Sequence, residues 1–357
     1  MKTMMQRTTS ASRQALGSAV LLTLLALPAR AGNPDRAGSA GAAQLLINPW
    51  ARSAGWGLAN TAALRGVESM FGNVAGLAHT RRTEVAFSTS RWLEGSGVTV
   101  NSFGLGQRVG STGALGISVM SMGFGELPVT TTDQPEGGLG NFRVSYANIG
   151  VAYAKGFSNS IYGGLLIRVV SESIADARAS GVCFDAGINY ITGERDQVRF
   201  AIALKNVGPT MRFDGDGMAV QGLLVSGSDQ LTLANRSQKF ELPSMLSIGG
   251  SYDFKLGEMH RLTPALSFFS NSFTRDQFVL GVEYAFRRIF HLRGGYLWEE
   301  NITSDEDRAT VFTGPSGGLS VDLPFGKEKQ SAIAVDYAYR ATNPFSGVHQ
   351  IGIRVSL

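Results

Sequence analysis

Apolar and polar residues alternate along the chain from Thr83 to its end, in stretches of roughly ten residues that stop at turn-forming residues. In the stretch 277–287 one face carries Phe278, Leu280, Val282, Tyr284 and Phe286, and the other carries Gly281, Glu283 and Arg287. Successive side chains of a strand point to opposite faces. Each stretch is therefore predicted to be a strand with one apolar face and one polar or small face.

Fourteen such stretches divide this part of the chain. They are predicted at 83–92, 97–107, 113–123, 146–156, 161–171, 181–192, 197–207, 243–254, 261–270, 277–287, 289–298, 315–325, 330–340 and 348–357. The gaps after the third, fifth, seventh and eleventh strands are long, and those after the even-numbered strands are short. Long and short connections therefore fall at opposite ends of the strands, which with an even strand count is typical of outer-membrane β-barrels.

The polar faces of these strands carry many charged residues: Asp185, Arg199, Lys205, Asp253, Glu283, His291, Arg293, Asp322, Asp336 and Arg354. A barrel interior can hold such charges against one another or against water, while the apolar faces contact lipid. Strands can cross hydrocarbon only in a closed barrel, because every backbone amide must be paired there. The predicted fold class is all-β, a transmembrane antiparallel β-barrel of about 14 strands. A soluble β-sandwich is the alternative, and it would not sort its connections by length.

The first 31 residues have the features of a secretory signal peptide. Lys2, Arg7 and Arg13 precede an apolar run at 15–27, and Ala29-Arg30-Ala31 follows Pro28. The run is too short to cross a bilayer as a helix, which needs about 20 residues. A membrane anchor is the alternative interpretation. We expect cleavage after Ala31, export, and a final location in the outer membrane.

Residues 32–82 do not alternate. They mix Gly, Ala, Asn and Pro with short helical patches such as 59–70. A segment of this kind ahead of a barrel can sit inside it as a plug. The predicted organisation is a signal peptide at 1–31, an N-terminal hatch or plug at 32–82, and the transmembrane β-barrel at 83–357.

Composition and scattered reactive residues argue against an enzyme. The chain contains 17% charged residues, 45 glycines and a single cysteine, Cys183, which is predicted to be a small buried filler. The net charge is only +4 and the basic residues form no cluster, so no nucleic-acid partner is expected. The four histidines lack metal-ligand spacing, and the acidic clusters 214–216 and 305–307 are read as solvated turns in preference to calcium sites. We expect no cofactor and no metal.

Three stretches resemble the PorV/PorQ family, outer-membrane barrels of the type IX secretion system that are themselves similar to FadL-type transporters. The stretches are 48–77, 147–207, which includes NIGVAYAKGFSNSIYGGLLIRVVSESI and GVCFDAGINY, and 348–354. The family's Asn-Pro-Ala-Gly-Leu motif is matched by Asn73, Ala75, Gly76 and Leu77, with Val74 in place of the proline.

The resemblance implies a fourteen-stranded barrel with an N-terminal hatch, and a role in export or surface attachment of secreted proteins. The implied partners are a secretion translocon and the C-terminal domains of cargo. The connections 124–145 and 208–242 are large enough to be a contact surface. Asn206, Gly208 and Pro209 are a candidate partner-binding loop, or simply the exit from a strand. Two alternatives stay open: a FadL-like transporter of small hydrophobic compounds with a lateral gap in its wall, and a structural porin-like protein.

Overall fold

The computed structural model describes residues 32–223, 230–326 and 331–357, so the predicted signal peptide at 1–31 lies outside the described residues. Fourteen long strands run through this part of the chain: β1 (Thr83–Trp92), β2 (Val98–Val109), β3 (Gly113–Pro128), β4 (Asn141–Gly156), β5 (Ile161–Ile174), β6 (Ala177–Thr192), β7 (Val198–Val207), β8 (Met245–Tyr252), β9 (His260–Asn271), β10 (Gln277–Phe286), β11 (Phe290–Glu299), β12 (Phe312–Phe325), β13 (Ser331–Thr342) and β14 (Val348–Ser356). Each pairs antiparallel with the next, and β14 pairs with β1. The sheet therefore closes into a barrel.

The predicted alternation decides which side chains face outward. On β10, Leu280 is 62% exposed on the outer face, whereas Glu283 is 2% exposed on the inner face. Large apolar side chains are exposed around the whole barrel, among them Phe103, Ile149, Ile167, Ile202, Leu266, Leu292, Val335 and Ile353. We call this outer surface the apolar belt. Because a closed barrel leaves no unpaired strand edge, such a belt suits contact with lipid.

Each of the fourteen predicted strands corresponds to one strand of the barrel, but one connection was predicted wrongly. The gap after β5, expected to be long, is the two-residue turn 175–176, because β5 continues to Ile174 and β6 begins at Ala177. The expected loop 124–145 is also shorter, since its ends belong to β3 and β4. These strand extensions carry Ser, Gly and Arg on the outer face, so the apolar alternation that marks the rest of each strand is missing.

The longest connection follows β7 and covers residues 208–244. It holds a short strand (Phe213–Asp214) that pairs with β6, a 3-10 turn (Asp216–Met218), and two strands, Ala219–Leu223 and Gln230–Ala234, that pair with each other. A further short strand, Phe254–Lys255, pairs with β9 at the opposite end of the barrel.

Residues 32–82, which we call the hatch segment, contain only short helical elements. One α-helix, α1 (Ala51–Gly55), lies among the 3-10 helices Pro34–Arg36, Ala43–Leu46, Gly66–Met70 and Val74–His79. Most residues from 48 to 80 are buried, and the helices contact the inner faces of many strands. Within the described residues, every helix is too short or too polar to cross a bilayer.

Candidate functional site: a hatch and an apolar cavity

The hatch segment rests against a ring of inward-facing glycines. We call this ring the glycine belt; its members are Gly104, Gly116, Gly164, Gly187, Gly249, Gly281, Gly295 and Gly318. A Cβ atom added to Gly281 would lie 2.8 Å from the carbonyl oxygen of Trp56, and one added to Gly164 would lie 2.8 Å from the carbonyl oxygen of Val74. The belt therefore lets the hatch backbone approach the wall more closely than any side chain would permit.

Side chains of the wall satisfy the hatch backbone, which has little regular structure to pair its own amides. Ser267 Oγ donates to the carbonyl of Ala59 at 2.8 Å, and Gln350 Nε2 donates to the carbonyl of Asn48 at 2.8 Å. Glu84 accepts from the backbone N–H of Val67 at 2.9 Å. These contacts come from β9 and from the paired strands β14 and β1, which lie on another part of the barrel wall. They hold the hatch segment across the lumen.

The predicted hatch motif lies against the β5–β6 wall. Asn73 Oδ1 accepts from the backbone N–H of Ala75 at 3.2 Å, and its Nδ2 donates to the carbonyl of Ile188 at 3.1 Å. Gly76 and Leu77 are buried in the 3-10 helix that follows. The β5–β6 ladder keeps its register from Ile161–Tyr190 to Ile174–Ala177. The wall that the motif touches is therefore an unbroken ladder.

A buried charge cluster lies on the opposite side of the lumen, centred on Glu283 of β10. Its two oxygens accept from Arg261 Nη2 and Arg293 Nε, each at 2.7 Å. Neighbouring strands extend the cluster through His291, Ser320, Asp322, Asp336 and Arg354. Six of the ten charged residues predicted for the inner face are thus brought together: Glu283, His291, Arg293, Asp322, Asp336 and Arg354. They form a network inside the barrel, as the alternation implies.

A second buried ion pair accompanies a β-bulge in β7. Asp185 accepts from Arg168 and from the backbone N–H of Asn206, and the β6–β7 ladder shifts register beside Asp185. Both Lys205 and Asn206 consequently point inward. Of the three residues in the candidate partner-binding loop, Asn206 is fully buried, whereas Gly208 and Pro209 are exposed at the start of the long connection.

A cavity of about 490 Å³ lies between the hatch segment and the strand ends that carry the long connections. Its lining is mostly apolar and includes Leu58, Phe71, Phe269, Phe273, Leu297 and Phe312. Three charged side chains also line it, namely Lys205, Glu299 and Arg340. Glu299 accepts from Gln277 Nε2 at 2.7 Å. The site can therefore surround an apolar molecule and contact polar groups on it.

The first residues of the hatch segment run beside this cavity. The backbone N–H of Gly41 donates to the carbonyl of Glu241 at 3.0 Å, and the Arg36 guanidinium pairs with the Glu241 carboxylate at 2.7 Å. Arg36 also lies over the ring of Phe273, 4.3 Å from its centroid. Residues between 37 and 46 line the cavity. The N-terminal part of the hatch segment thus forms one of its walls.

Lys205 was predicted to lie on the inner face, but the sequence predicted no cavity beside it. Glu299, Phe71 and the aromatic residues of β9 were not singled out. Each follows ordinary strand or hatch patterning, and no local signal separates a cavity residue from a packed one. Cys183, predicted to be a buried filler, is fully buried in an apolar cluster.

His79, at the end of the hatch segment, gives a pH-dependent prediction. Burial, followed by the charges of Arg65, Arg199 and Arg108, lowers the pKa of His79 to about 3 from its ordinary 6.5. The unfolded chain therefore binds more protons between these two values, and stability is expected to fall as the pH drops through that window. The urea midpoint of refolded protein, measured from about pH 7 to about pH 4, should fall less steeply in His79→Gln. Equal slopes would contradict the assignment.

No protein-family model and no curated protein matches the chain. Solved structures do match. The toluene transporter TodX of Pseudomonas putida superposes with a TM-score of 0.52 and 10% identity, covering 87% of this chain and 97% of that one. The monoaromatic hydrocarbon channel CymD gives 0.51 and 14%, covering 90% and 97%. A FadL homologue of Pseudomonas aeruginosa gives 0.50 and 11%, covering 85% and 96%.

These matches show the fold. It is a closed fourteen-stranded antiparallel barrel of the kind seen in FadL-type outer-membrane channels. The apolar belt around it matches the lipid-facing band of such barrels, and the fold class predicted from the alternation is confirmed. The protein is therefore placed in the outer membrane.

Proposed function

We propose that this protein is an outer-membrane transporter that takes small, mainly apolar molecules into the cavity above its hatch segment. The cavity itself carries the proposal. Its volume of about 490 Å³ and its aromatic lining fall within the ordinary range of small-molecule sites. Structural neighbours described as hydrocarbon or toluene channels support the same class of cargo.

We infer that the hatch segment, which is buried among the strands, closes the direct path through the barrel, so transport requires either movement of the hatch or exit through the wall. The β5–β6 ladder is continuous beside Asn73, and a lateral exit there would have to break ladder hydrogen bonds. The β6–β7 ladder is already interrupted at Asp185. A lateral gap is therefore better supported at this bulge than beside Asn73.

Uptake by cells tests the proposal. A strain lacking the gene should accumulate a radiolabelled monoaromatic hydrocarbon or long-chain alkanoate more slowly than the complemented strain. Leu297→Trp, which fills the cavity, should lower uptake, whereas Leu292→Trp on the lipid face of the same strand should not. Heat-modifiable gel mobility checks that both variants assemble. Equal uptake in the deletion and complemented strains, or in the two variants, would overturn the proposal.

Type IX secretion is a second candidate, carried only by the sequence resemblance and by the exposed connection that begins at Gly208 and Pro209. The comparisons give it no support and favour the transporter. A deletion strain whose cargo proteins still reach the surface and the medium would rule the secretion role out. A deletion strain that loses cargo export but keeps its hydrocarbon uptake would favour the secretion role over the transporter.

A further inference from the structure

The cavity follows one arc of the barrel. Its wall residues come from seven consecutive strands, β7 to β13. Lys205 belongs to the first strand of this arc and Arg340 to the last. Between them the lining is mainly apolar and aromatic, with Phe269 on β9 and Leu297 on β11. Two cations therefore stand at the two ends of the arc of strands that lines this largely apolar space.

Within the described residues, neither cation has an acidic partner. Lys205 and Arg340 are 4% and 6% exposed, and in this part of the chain neither side chain forms an ion pair or donates a hydrogen bond. Each lies over an aromatic ring instead: Lys205 Nζ is 4.1 Å from the centroid of Phe71, and the Arg340 guanidinium is 3.6 Å from that of Phe312. Aromatic faces attract cations but do not neutralise them.

Two acids near the cavity bond to groups other than these cations. Asp185, whose charge acts on Lys205, accepts hydrogen bonds from Arg168 and from the backbone N–H of Asn206. Glu299 lines the cavity and accepts from Gln277, and within the described residues its other oxygen has no hydrogen-bond partner. Burying a charge without a partner is costly. Each of these buried cations can therefore form an ion pair with an anionic group that a ligand brings into the cavity.

We propose that the cavity takes an elongated apolar molecule with an acidic group at each end, such as a long-chain dicarboxylate. One carboxylate pairs with Lys205 and the other with Arg340, while the apolar middle lies against the aromatic lining. The inference rests on the proposed transport function and narrows its substrate class. Two buried cations would not strengthen the binding of a neutral hydrocarbon, so within the class of mainly apolar molecules they favour one with acidic ends.

Binding to three matched ligands tests the proposal. Dodecanedioate, its monomethyl ester and its dimethyl ester share one carbon chain and differ only in charge. Calorimetry with the purified barrel in a non-ionic detergent should show affinity falling by about tenfold with each esterification, the size expected for a hydrogen bond to a charged group. Lys205→Met and Arg340→Met should each lower the affinity for dodecanedioate by a similar factor and leave the affinity for the dimethyl ester unchanged.

Arg212→Met, which removes an exposed cation away from the cavity, is the matched control and should change none of the affinities. Diacid and diester binding within twofold of each other would overturn this inference alone, since the cavity would still bind apolar ligands. If Lys205→Met lowered the affinity for all three ligands by the same factor, the dicarboxylate inference would also be overturned. If none of the three ligands binds, the proposed transport function falls as well.

Discussion

Replacing Gly295 with valine is expected to dislodge the hatch segment and turn a closed barrel into an ion-conducting one. A Cβ atom at this position would overlap the carbonyl oxygen of Trp56 and lie 2.8 Å from the backbone nitrogen of Gly57. An oversized side chain in a packed interior costs about 1–3 kcal/mol even where neighbouring side chains can move aside. Here the obstacle is backbone, so no rotamer change relieves it. Planar-bilayer conductance of the purified protein measures the result.

Gly294 provides the matched control, because it precedes Gly295 on the same strand and an added Cβ would meet nothing within 4 Å. Gly294→Val should assemble and stay closed. A variant lacking residues 48–80 should conduct, which sets the value for an open lumen. If Gly295→Val assembles with the low conductance of the parent protein, the glycine belt does not seat the hatch.

Glu283→Gln is expected to cause the largest loss of stability of any single change in the charge cluster. The carboxylate pairs with Arg261 and Arg293 inside the lumen, and its removal leaves buried positive charge without compensation. Breaking a buried ion pair in this way costs about 3–5 kcal/mol. The free energy of unfolding, measured by urea titration of protein folded into lipid vesicles, should fall by that amount.

A surface ion pair shows whether this loss comes from burial. Glu126 pairs with Arg143 at 3.0 Å, and both side chains are well exposed to solvent. Water and salt screen such a pair, so Glu126→Gln should leave the free energy of unfolding unchanged within error. An equal loss in the two variants would show that Glu283 does not stabilise the lumen through its buried charge.

The strands could be predicted because burial and lipid contact impose a strict two-residue period. Leu280 faces outward and Glu283 inward, as their spacing along β10 requires. Where both faces of a strand lie beyond the lipid, the same constraint is absent. Ser173 on β5 and Ser180 on β6 therefore read as loop, although β5 continues to Ile174 and β6 begins at Ala177. The number of strands was predictable for this reason, and their full lengths were not.

The candidate site could be predicted only in part. Asp336 and Arg340 occupy equivalent inner positions on β13, and the local pattern does not distinguish them. In the folded barrel, Asp336 accepts a hydrogen bond from Ser320, while Arg340 opens onto the cavity beside Phe312. The difference depends on neighbouring strands and on the hatch segment. A cavity built from seven strands leaves no signature in any one of them.

Two tryptophans can show whether the barrel faces lipid and encloses the hatch segment. Trp298 on β11 is 50% exposed on the outer face, whereas Trp56 in the hatch segment is 3% exposed. Single-tryptophan variants can be reconstituted into phosphatidylcholine brominated near the carboxyl end of its acyl chains. The fluorescence of Trp298 should be strongly quenched, whereas that of Trp56 should equal its value in unbrominated lipid. Equal quenching of Trp56 and Trp298 would show that the barrel does not shield the hatch segment from lipid.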